Sequence, residues 1–432
     1  MSTRAPGPRA ERLQAVKGMV DLLPPDSRRL VEIERVCHDL LGRYGYALVE
    51  TPTVEYTPLF ARSIGEETDI VEKEMYTFED RDGRSLTLRP EGTAGVVRAY
   101  NEHAIHGIEP VTLWYYLGPM FRHERGQRGR YRQFHQLGVE ALGVAEPGID
   151  AEMMAMLLAL LAQLGLARDA MELHINTLGC SVCRPSFRAA LLRFLEPHEP
   201  ELCEDCQRRF RQNPLRVLDC KEEGCRRIAG EAPTTLDHLC PACRTHWEGL
   251  LGDLGTLEVP CEVDHRLVRG LDYYNRTTFE LLCTAGSLGA QNTLAGGGRY
   301  DGLVELLGGP PTPAVGFAMG LERLLLALGD LPPLAPRAEV CLVTQGAEAR
   351  RLALPLAREL RARGVRADVD HRGTSLKSQM KRADRLGCAI VLLLGESEVT
   401  RGVVGLRRMA TSEQEEIPLA EVVGRAVERL RR

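Results

Sequence analysis

Leu113–Gly143 reads LWYYLGPMFRHERGQRGRYRQFHQLGVEALG, two β-prone runs separated by a loop crowded with arginine and glycine. The first run, Leu113 to Arg122, is aromatic and aliphatic. The second, Tyr131 to Leu142, alternates, and as an extended strand it puts Phe134, Gln136, Gly138, Glu140 and Leu142 on one face. Between the runs lie Arg122, Arg125, Arg128, Arg130 and Arg132, with Gly126 and Gly129 loosening the loop. The expectation is an antiparallel hairpin with a polar floor and a mobile cationic tip. Pro119 is awkward inside a strand and predicts a bend or bulge. Gly138, between Gln136 and Glu140, predicts close approach of a ligand to the backbone. The bland alternative is a surface hairpin whose arginines are merely solvated.

Phe121, Arg122 and Glu124, followed by the variable loop and the returning strand, resemble the second signature motif of class II aminoacyl-tRNA synthetases. In detail they resemble the histidyl-tRNA synthetase family. The resemblance implies an α/β fold: an α+β catalytic domain with an antiparallel sheet flanked by helices, a Cys-rich helical insertion, and a C-terminal α/β anticodon-binding domain. The boundaries expected are a disordered tail at 1–16, a catalytic domain at 17–330 with the insertion at 178–256, a linker at 331–337 and the anticodon-binding domain at 338–432.

Composition agrees with an ordinary globular protein. The chain has 432 residues, 44% hydrophobic and 27% charged, enough for more than one core. A formal net charge of −5 gives no sign of nucleic acid, so any RNA contact must come from local basic surface. The N-terminus lacks the apolar segment of a secretory signal, and the apolar run Met153 to Ala162 is too short to span a bilayer. Thirteen cysteines without an export signal point to a reducing compartment, hence a cytoplasmic protein carrying thiols or metal rather than disulfides.

Before the hairpin, a helix is predicted from Asp26 to Tyr44, capped by Asp26 or Ser27, with Leu30, Ile33, Val36 and Leu40 or Leu41 on one face. A strand at Ala47 to Val49 follows, and the pair resembles the first class II motif, which implies a homodimer interface. Ser85 to Leu88 alternates as a strand, and Gly92-Thr93 opens a helix to about Asn101. Glu91 and Thr93 suit either capping of that helix or recognition of an ammonium group. The tripeptide Glu91-Gly92-Thr93 resembles the family's amino-acid-binding turn. After the hairpin come an apolar helix, Ile149 to Leu166, and a strand, Met171 to Asn176.

Eight cysteines then fall in four pairs: Cys180 and Cys183, Cys203 and Cys206, Cys220 and Cys225, Cys240 and Cys243. Such knuckles suit two closed four-sulfur Zn²⁺ sites of structural type, and spacing leaves the partnering of pairs open. Free thiols in a helical insertion are the alternative. The family carries an insertion at this place, which implies contact with the tRNA acceptor arm.

Leu267–Tyr274, LVRGLDYY, alternates through Arg269 and reads as a strand, with Gly270 again admitting a ligand. It resembles a motif peculiar to the family, in which the arginine acts at the reacting phosphate and the tyrosines line the imidazole pocket. Gln291–Gly302, QNTLAGGGRYDG, sets three glycines before Arg299, Tyr300 and Asp301. A strand at Ala314 to Ala318 and a helix from Gly320 carrying Arg323 resemble the third class II motif. Past the proline-stiffened stretch LPPLAP, strands at Val340–Thr344, Val365–Val369, Ala389–Leu394 and Val403–Leu406 alternate with helices at Ala347–Arg363, Ser375–Leu386 and Leu419–Leu430. The basic run Arg372 to Arg385, with Lys377, Lys381 and Arg382, is either an RNA face or a solvated helix side.

Taken together, the resemblance implies a ligase that joins L-histidine to tRNA(His) through histidyl-adenylate, using ATP with Mg²⁺. It implies Arg122 and Arg269 at the α-phosphate and Arg323 at the β/γ end. Glu91, Gly92, Thr93 and Gln136 would hold the α-amino group and Glu140, Tyr273 and Tyr274 the imidazole side, with Tyr300 also in the histidine site. Arg125, Gln127, Arg128 and Arg130 would lie near the tRNA acceptor end. The rival is a non-catalytic paralogue, the histidine-binding regulatory subunit of ATP phosphoribosyltransferase, expected to lack the C-terminal domain and the active-site arginines.

Overall fold

A computed structural model describes residues 13–431 except 66–67, 125, 127, 286–287, 289–291 and 331–333. The chain forms two compact units that divide between residues 332 and 333. Arg125, Gln127, Gln291, residues 1–12 of the expected tail and residues 331–333 of the expected linker therefore lie outside the described residues.

In the first unit the strands are, in chain order, β1 (Ala47–Leu48), β2 (Val54–Tyr56), β3 (Tyr76–Glu79), β4 (Ser85–Leu88), β5 (Thr112–Phe121), β6 (Gln133–Leu142), β7 (Met171–Thr177), β8 (Glu262–Val263), β9 (Asn275–Cys283), β10 (Thr293–Arg299) and β11 (Ala314–Gly320). Eight of them make one sheet in the order β1-β5-β6-β11-β10-β9-β7-β8, antiparallel except at the two short edge strands. β2, β4 and β3 form a smaller antiparallel sheet beside it.

The pleat of the large sheet divides a core from a site. From β6, Leu137, Val139 and Ala141 point into an apolar cluster with Phe279 and Leu281 of β9 and Val315 and Phe317 of β11. Helices Asp26–Arg43, Gly148–Gln163 and Pro241–Thr256 cover that face, contributing Ile33, Leu41, Leu157, Leu161 and Leu250. The intervening residues, Phe134, Gln136 and Glu140, face the other way.

Two local expectations are corrected here. Helix Asp26–Arg43 begins after Pro25 with no side-chain cap; the carbonyls of Leu23 and Pro25 accept from Ser27 N and Arg28 N instead, and Asp26 pairs with Arg29 at 3.0 Å. Pro119 causes no bulge. The β5–β6 register runs unbroken from Thr112↔Leu142 to Phe121↔Gln133. Pro119 occupies a non-hydrogen-bonded pair, since the opposing His135 N–H donates to Glu322 at 2.9 Å. Its missing donor faces outward beyond β1, which pairs only with Trp114 and Tyr115, and Arg89 Nε takes the Pro119 carbonyl at 2.9 Å. Helix Thr57–Ile64 was not anticipated in the loop before β3.

The glycine run lies within strand β10. It ends on Arg299, fully buried against Asp150 of the apolar helix at 2.7 Å and donating to the carbonyls of Val144 at 2.9 Å and Glu146 at 2.8 Å. Burial pushes the Asp150 carboxyl up to about 6 even with Arg299 beside it.

Four helices, Arg184–Leu195, Glu204–Gln212, Glu223–Gly230 and Pro241–Thr256, fill the cysteine-bearing region. The second unit is a sheet in the order β13-β12-β14-β15-β16, comprising β12 (Val340–Thr344), β13 (Ala367–Val369), β14 (Ile390–Leu394), β15 (Val403–Arg408) and β16 (Gln414–Pro418). β13, β12 and β14 are parallel, and the last two strands return antiparallel. β16 and helix Glu396–Arg401 escaped the sequence reading because each buries at most one apolar side chain. No helix among the described residues is long and apolar enough to cross a membrane.

Removing one partner of the Asp150–Arg299 pair strands a buried charge. Arg299→Met is expected to cost about 3–5 kcal/mol in guanidinium unfolding, with much of the loss recovered by adding Asp150→Leu.

Candidate active site

On the sheet face away from the covering helices lies a cavity of about 930 Å³. Glu91, Thr93, Gln136, Glu140, Tyr273, Tyr274 and Tyr300 line it, as do Arg122, Arg130, Arg269 and Arg323. Thus side chains far apart in the chain share one enclosure. Arg128 lies in an exposed turn outside it.

At the deep end, Glu140 is 1% exposed and accepts from Thr93 Oγ1 at 2.7 Å and from the Tyr300 hydroxyl. Burial outweighs both bonds and pushes its carboxyl up to about 8. Gly316 on β11 has no side chain because the Glu140 carboxylate occupies that space. Glu91 accepts from Thr93 N at 2.7 Å and Ala94 N at 2.8 Å, so it does cap its helix while lining the cavity. Burial raises its carboxyl as well.

Gly138 is corrected: no space for a ligand lies over it. The ring of Tyr116, its cross-strand partner, covers Gly138 and also packs against Gly92. The Tyr116 hydroxyl and Gln136 Oε1 are buried without hydrogen-bond partners among the described residues. Burial, then Glu140 and Glu91, hold the Tyr116 phenol well above its usual range.

Arg269 is also corrected, from strand to loop. Residues 264–274 are non-repetitive, and β9 begins only at Asn275. The loop is pinned by Asn176 Nδ2, which donates to Leu267 O at 3.0 Å, and by Arg216 Nη1, which donates to Arg269 O at 3.0 Å. Freed from alternation, Tyr273 and Tyr274 both reach the cavity, their ring centroids 4.7 Å apart and Tyr273 5.6 Å from Tyr300. Arg269 is paired with Glu280 of β9, and Gly296 of β10 leaves room for its guanidinium.

Arg130 pairs with Glu124 at 3.1 Å, and the other two arginines are held by carbonyls. Arg122 Nε donates to Pro90 O at 2.8 Å and the guanidinium lies 5.5 Å from the Phe134 ring centroid. Arg323 donates to Gly129 O at 3.2 Å and Thr293 O at 3.1 Å. Glu322, its neighbour, turns to His135 Nδ1 at 2.8 Å, a bond that raises the His135 pKa.

Glu280, Glu322 and Tyr116 were missed by sequence reasoning. Glu280 had a signal, a lone carboxylate between Phe279 and the apolar run Leu281–Cys283. Tyr116 would have required counting the register across the turn to Gly138. Arg216, Asp219, Lys221 and Arg226 also line the cavity, from the cysteine-rich insertion, and nothing local marks them.

The cysteines gather into two groups of four. Cys180, Cys183, Cys240 and Cys243 form one, Cys203, Cys206, Cys220 and Cys225 the other, each with its sulfurs within 4.8 Å of one another. Separations include 3.6 Å for Cys180–Cys183, 3.7 Å for Cys183–Cys243 and 3.8 Å for Cys203–Cys220.

An antiparallel sheet with helices behind it and arginines from the hairpin and the last strand–helix unit in front defines a class II aminoacyl-tRNA synthetase. Residues 18–324 match the family model described as histidyl-tRNA synthetase, and residues 339–429 the anticodon binding domain. A histidine–tRNA ligase from Syntrophotalea carbinolica is 48% identical over 419 residues, spanning 97% of this chain and 99% of that protein. One from Desulfosudis oleivorans is 50% identical, spanning 95% and 97%. The crystal structure of apo S. aureus histidyl-tRNA synthetase superposes with a TM-score of 0.80 at 38% identity, covering 96% of this chain and 99% of that one. The chain belongs to the histidyl-tRNA synthetase family.

A carboxyl raised on folding binds a proton that the unfolded chain releases above about 4.5. Glu140 therefore destabilises the ligand-free fold progressively as pH rises from about 4.5 to about 8. Glu140→Gln is expected to flatten the wild-type stability–pH curve across that window, read by denaturant titration at several pH values.

Proposed function

We propose that this cavity activates L-histidine with ATP to histidyl-adenylate and then passes histidine to the 3′ end of tRNA(His), releasing AMP and diphosphate. The observation that carries the reading is the meeting of Arg122, Arg269 and Arg323 with buried Glu140 in one enclosure. The histidine carboxylate is already ionised, so its attack on the α-phosphorus needs no general base. It needs in-line positioning and cations where charge builds on the phosphate oxygens. Arginine stays protonated at working pH and offers a planar fork to phosphate.

Arg122 and Arg269 take the α-phosphate and Arg323 the β/γ end. ATP enters as its Mg²⁺ complex, and Glu124 and Glu280 on the cavity wall offer the oxygen ligands such an ion takes. Glu91, Thr93 and Gln136 receive the α-ammonium group, with Gly92 shaping the turn. Glu140, Tyr273, Tyr274 and Tyr300 form the imidazole pocket. In the second step the ribose hydroxyl of the terminal nucleotide attacks the adenylate, with Arg125, Gln127, Arg128 and Arg130 near the acceptor end.

Each cysteine group binds one structural Zn²⁺. Four sulfurs at tetrahedral corners about 2.3 Å from zinc stand about 3.8 Å apart, which the separations of 3.6, 3.7 and 3.8 Å match. Residues 338–432 form the anticodon-binding domain. Within the Arg372–Arg385 segment, Arg372 and Arg382 are paired with Asp370 and Asp368, leaving Lys377, Lys381 and Arg385 as the cations for RNA. Exposed Leu48, Val54, Tyr56 and Phe78 give the β1 edge and the small sheet the apolar surface of a homodimer interface. Cysteines held outside disulfides suit the cytoplasm. The regulatory-subunit alternative is disfavoured by the match over residues 339–429 and by the presence of Arg122 and Arg269.

Histidine-dependent ATP–pyrophosphate exchange is the deciding assay. Arg269→Ala is expected to lower it by about 10²-fold or more with an unchanged circular dichroism spectrum, and retained exchange would overturn its assignment. Metal analysis of the purified protein is expected to give two zinc per chain, and removal by chelator to lower helix content.

A further inference from the structure

The cavity's charges are almost all balanced within its own wall. Arg122 and Arg130 stand 3.9 Å and 3.1 Å from Glu124, Arg216 3.3 Å from Asp219, Arg266 3.3 Å from Asp264, and Arg269 pairs with Glu280. Among the described residues, three lining cations have no ion pair: Arg323, Lys221 and Arg226. Arg323 already has a role. Lys221 and Arg226 do not, and both are exposed at the cavity wall.

Their position follows from the second cysteine group. Lys221 directly follows Cys220 and Arg226 directly follows Cys225, and Cys220 itself lines the cavity. Cys203 N donates to Cys225 Sγ at 3.2 Å, and the sulfurs of Cys203 and Cys220 stand 3.8 Å apart, tying both ends to the neighbouring knuckle. On the same wall, Arg216 holds the Arg269 carbonyl at 3.0 Å. Both groups pack into apolar clusters, Cys183 and Cys243 into the one behind the sheet and Cys206 and Cys225 into a second, but none of the first group's four cysteines lines the cavity. The neighbouring Arg227, on the same helix, pairs with Glu201 at 3.4 Å and lies outside the cavity lining.

We infer that the second cysteine group is a working part of the activation cavity, holding Lys221 and Arg226 as receptors for phosphate oxygens, whereas the first group serves the core alone. The phosphate belongs either to the ATP tail or to the terminal phosphodiesters of tRNA. Unpaired cations on a cavity wall recruit anions, and a phosphate is the anion both substrates bring. This inference rests on the aminoacylation reading of the cavity.

The test compares wild type, the double variant Lys221→Ala/Arg226→Ala, Arg227→Ala as a control, and Cys220→Ser. The readouts are KM for ATP in tRNA-free exchange, KM for tRNA in aminoacylation, zinc content and Tm. The double variant is expected to raise one of the two KM values roughly tenfold, kcat changing by less than about twofold, with zinc and Tm unchanged. A rise for ATP assigns the phosphate to the ATP tail, and a rise for tRNA alone assigns it to the acceptor end. Arg227→Ala is expected to change neither. Cys220→Ser is expected to lose one zinc and reproduce the KM rise. Wild-type exchange with both KM values unmoved in the double variant overturns this inference alone. Absence of exchange in wild type overturns it together with the reading it rests on.

Discussion

The pleat of one strand is the constraint on which the catalytic unit depends. β6 lies between β5 and β11, so its position is fixed by ladders on both sides. Its odd-numbered residues Leu137, Val139 and Ala141 must enter the core, which forces Gln136 and Glu140 onto the opposite face. A slip of one residue would bury the polar set and expose the apolar one. Register here is therefore fixed by hydrophobic burial, and the same burial aims the site.

What the opposite face carries is costly to assemble. Glu140 and Glu91 sit desolvated within one cavity, and burial pushes both toward their neutral forms. Hydrogen bonds from Thr93, Ala94 and Tyr300 hold them in place without restoring their ordinary acidity. Around them the arginines are anchored by carbonyl oxygens of Pro90, Gly129 and Thr293, so that their forks are oriented before any substrate arrives. Orientation in advance is what makes such groups effective, because no reorganisation remains for the moment of reaction. The glycines at 296 and 316 belong to the same economy of space: each leaves out a side chain so that a charged group can pass.

The insertion ties this arrangement to a second centre. The largely helical segment 178–256 returns Cys220, Lys221 and, from helix Glu223–Gly230, Arg226 to the cavity wall and one arginine, Arg216, to the Arg269 carbonyl. Both cysteine groups pack into apolar clusters, and the second differs in that Cys220 also lines the reaction space.

Read alone, the sequence determined what depends on near neighbours and period. The alternation of Phe134 to Leu142, the helical spacing of Leu30 to Leu41, the cysteine knuckles and the motif residues 122, 269 and 323 are all local patterns, and each names a residue type whose chemistry is fixed. Tertiary structure decided what depends on partners distant in the chain. It placed Pro119 in an unbulged pair because no strand lies beyond it, filled the gap over Gly138 with Tyr116, and lifted Arg269 off a strand through contacts from Asn176 and Arg216. It also chose which cysteine pairs meet and which cations remain unbalanced. Those outcomes follow from packing and charge compensation between segments far apart in sequence, and no spacing within a single segment encodes them.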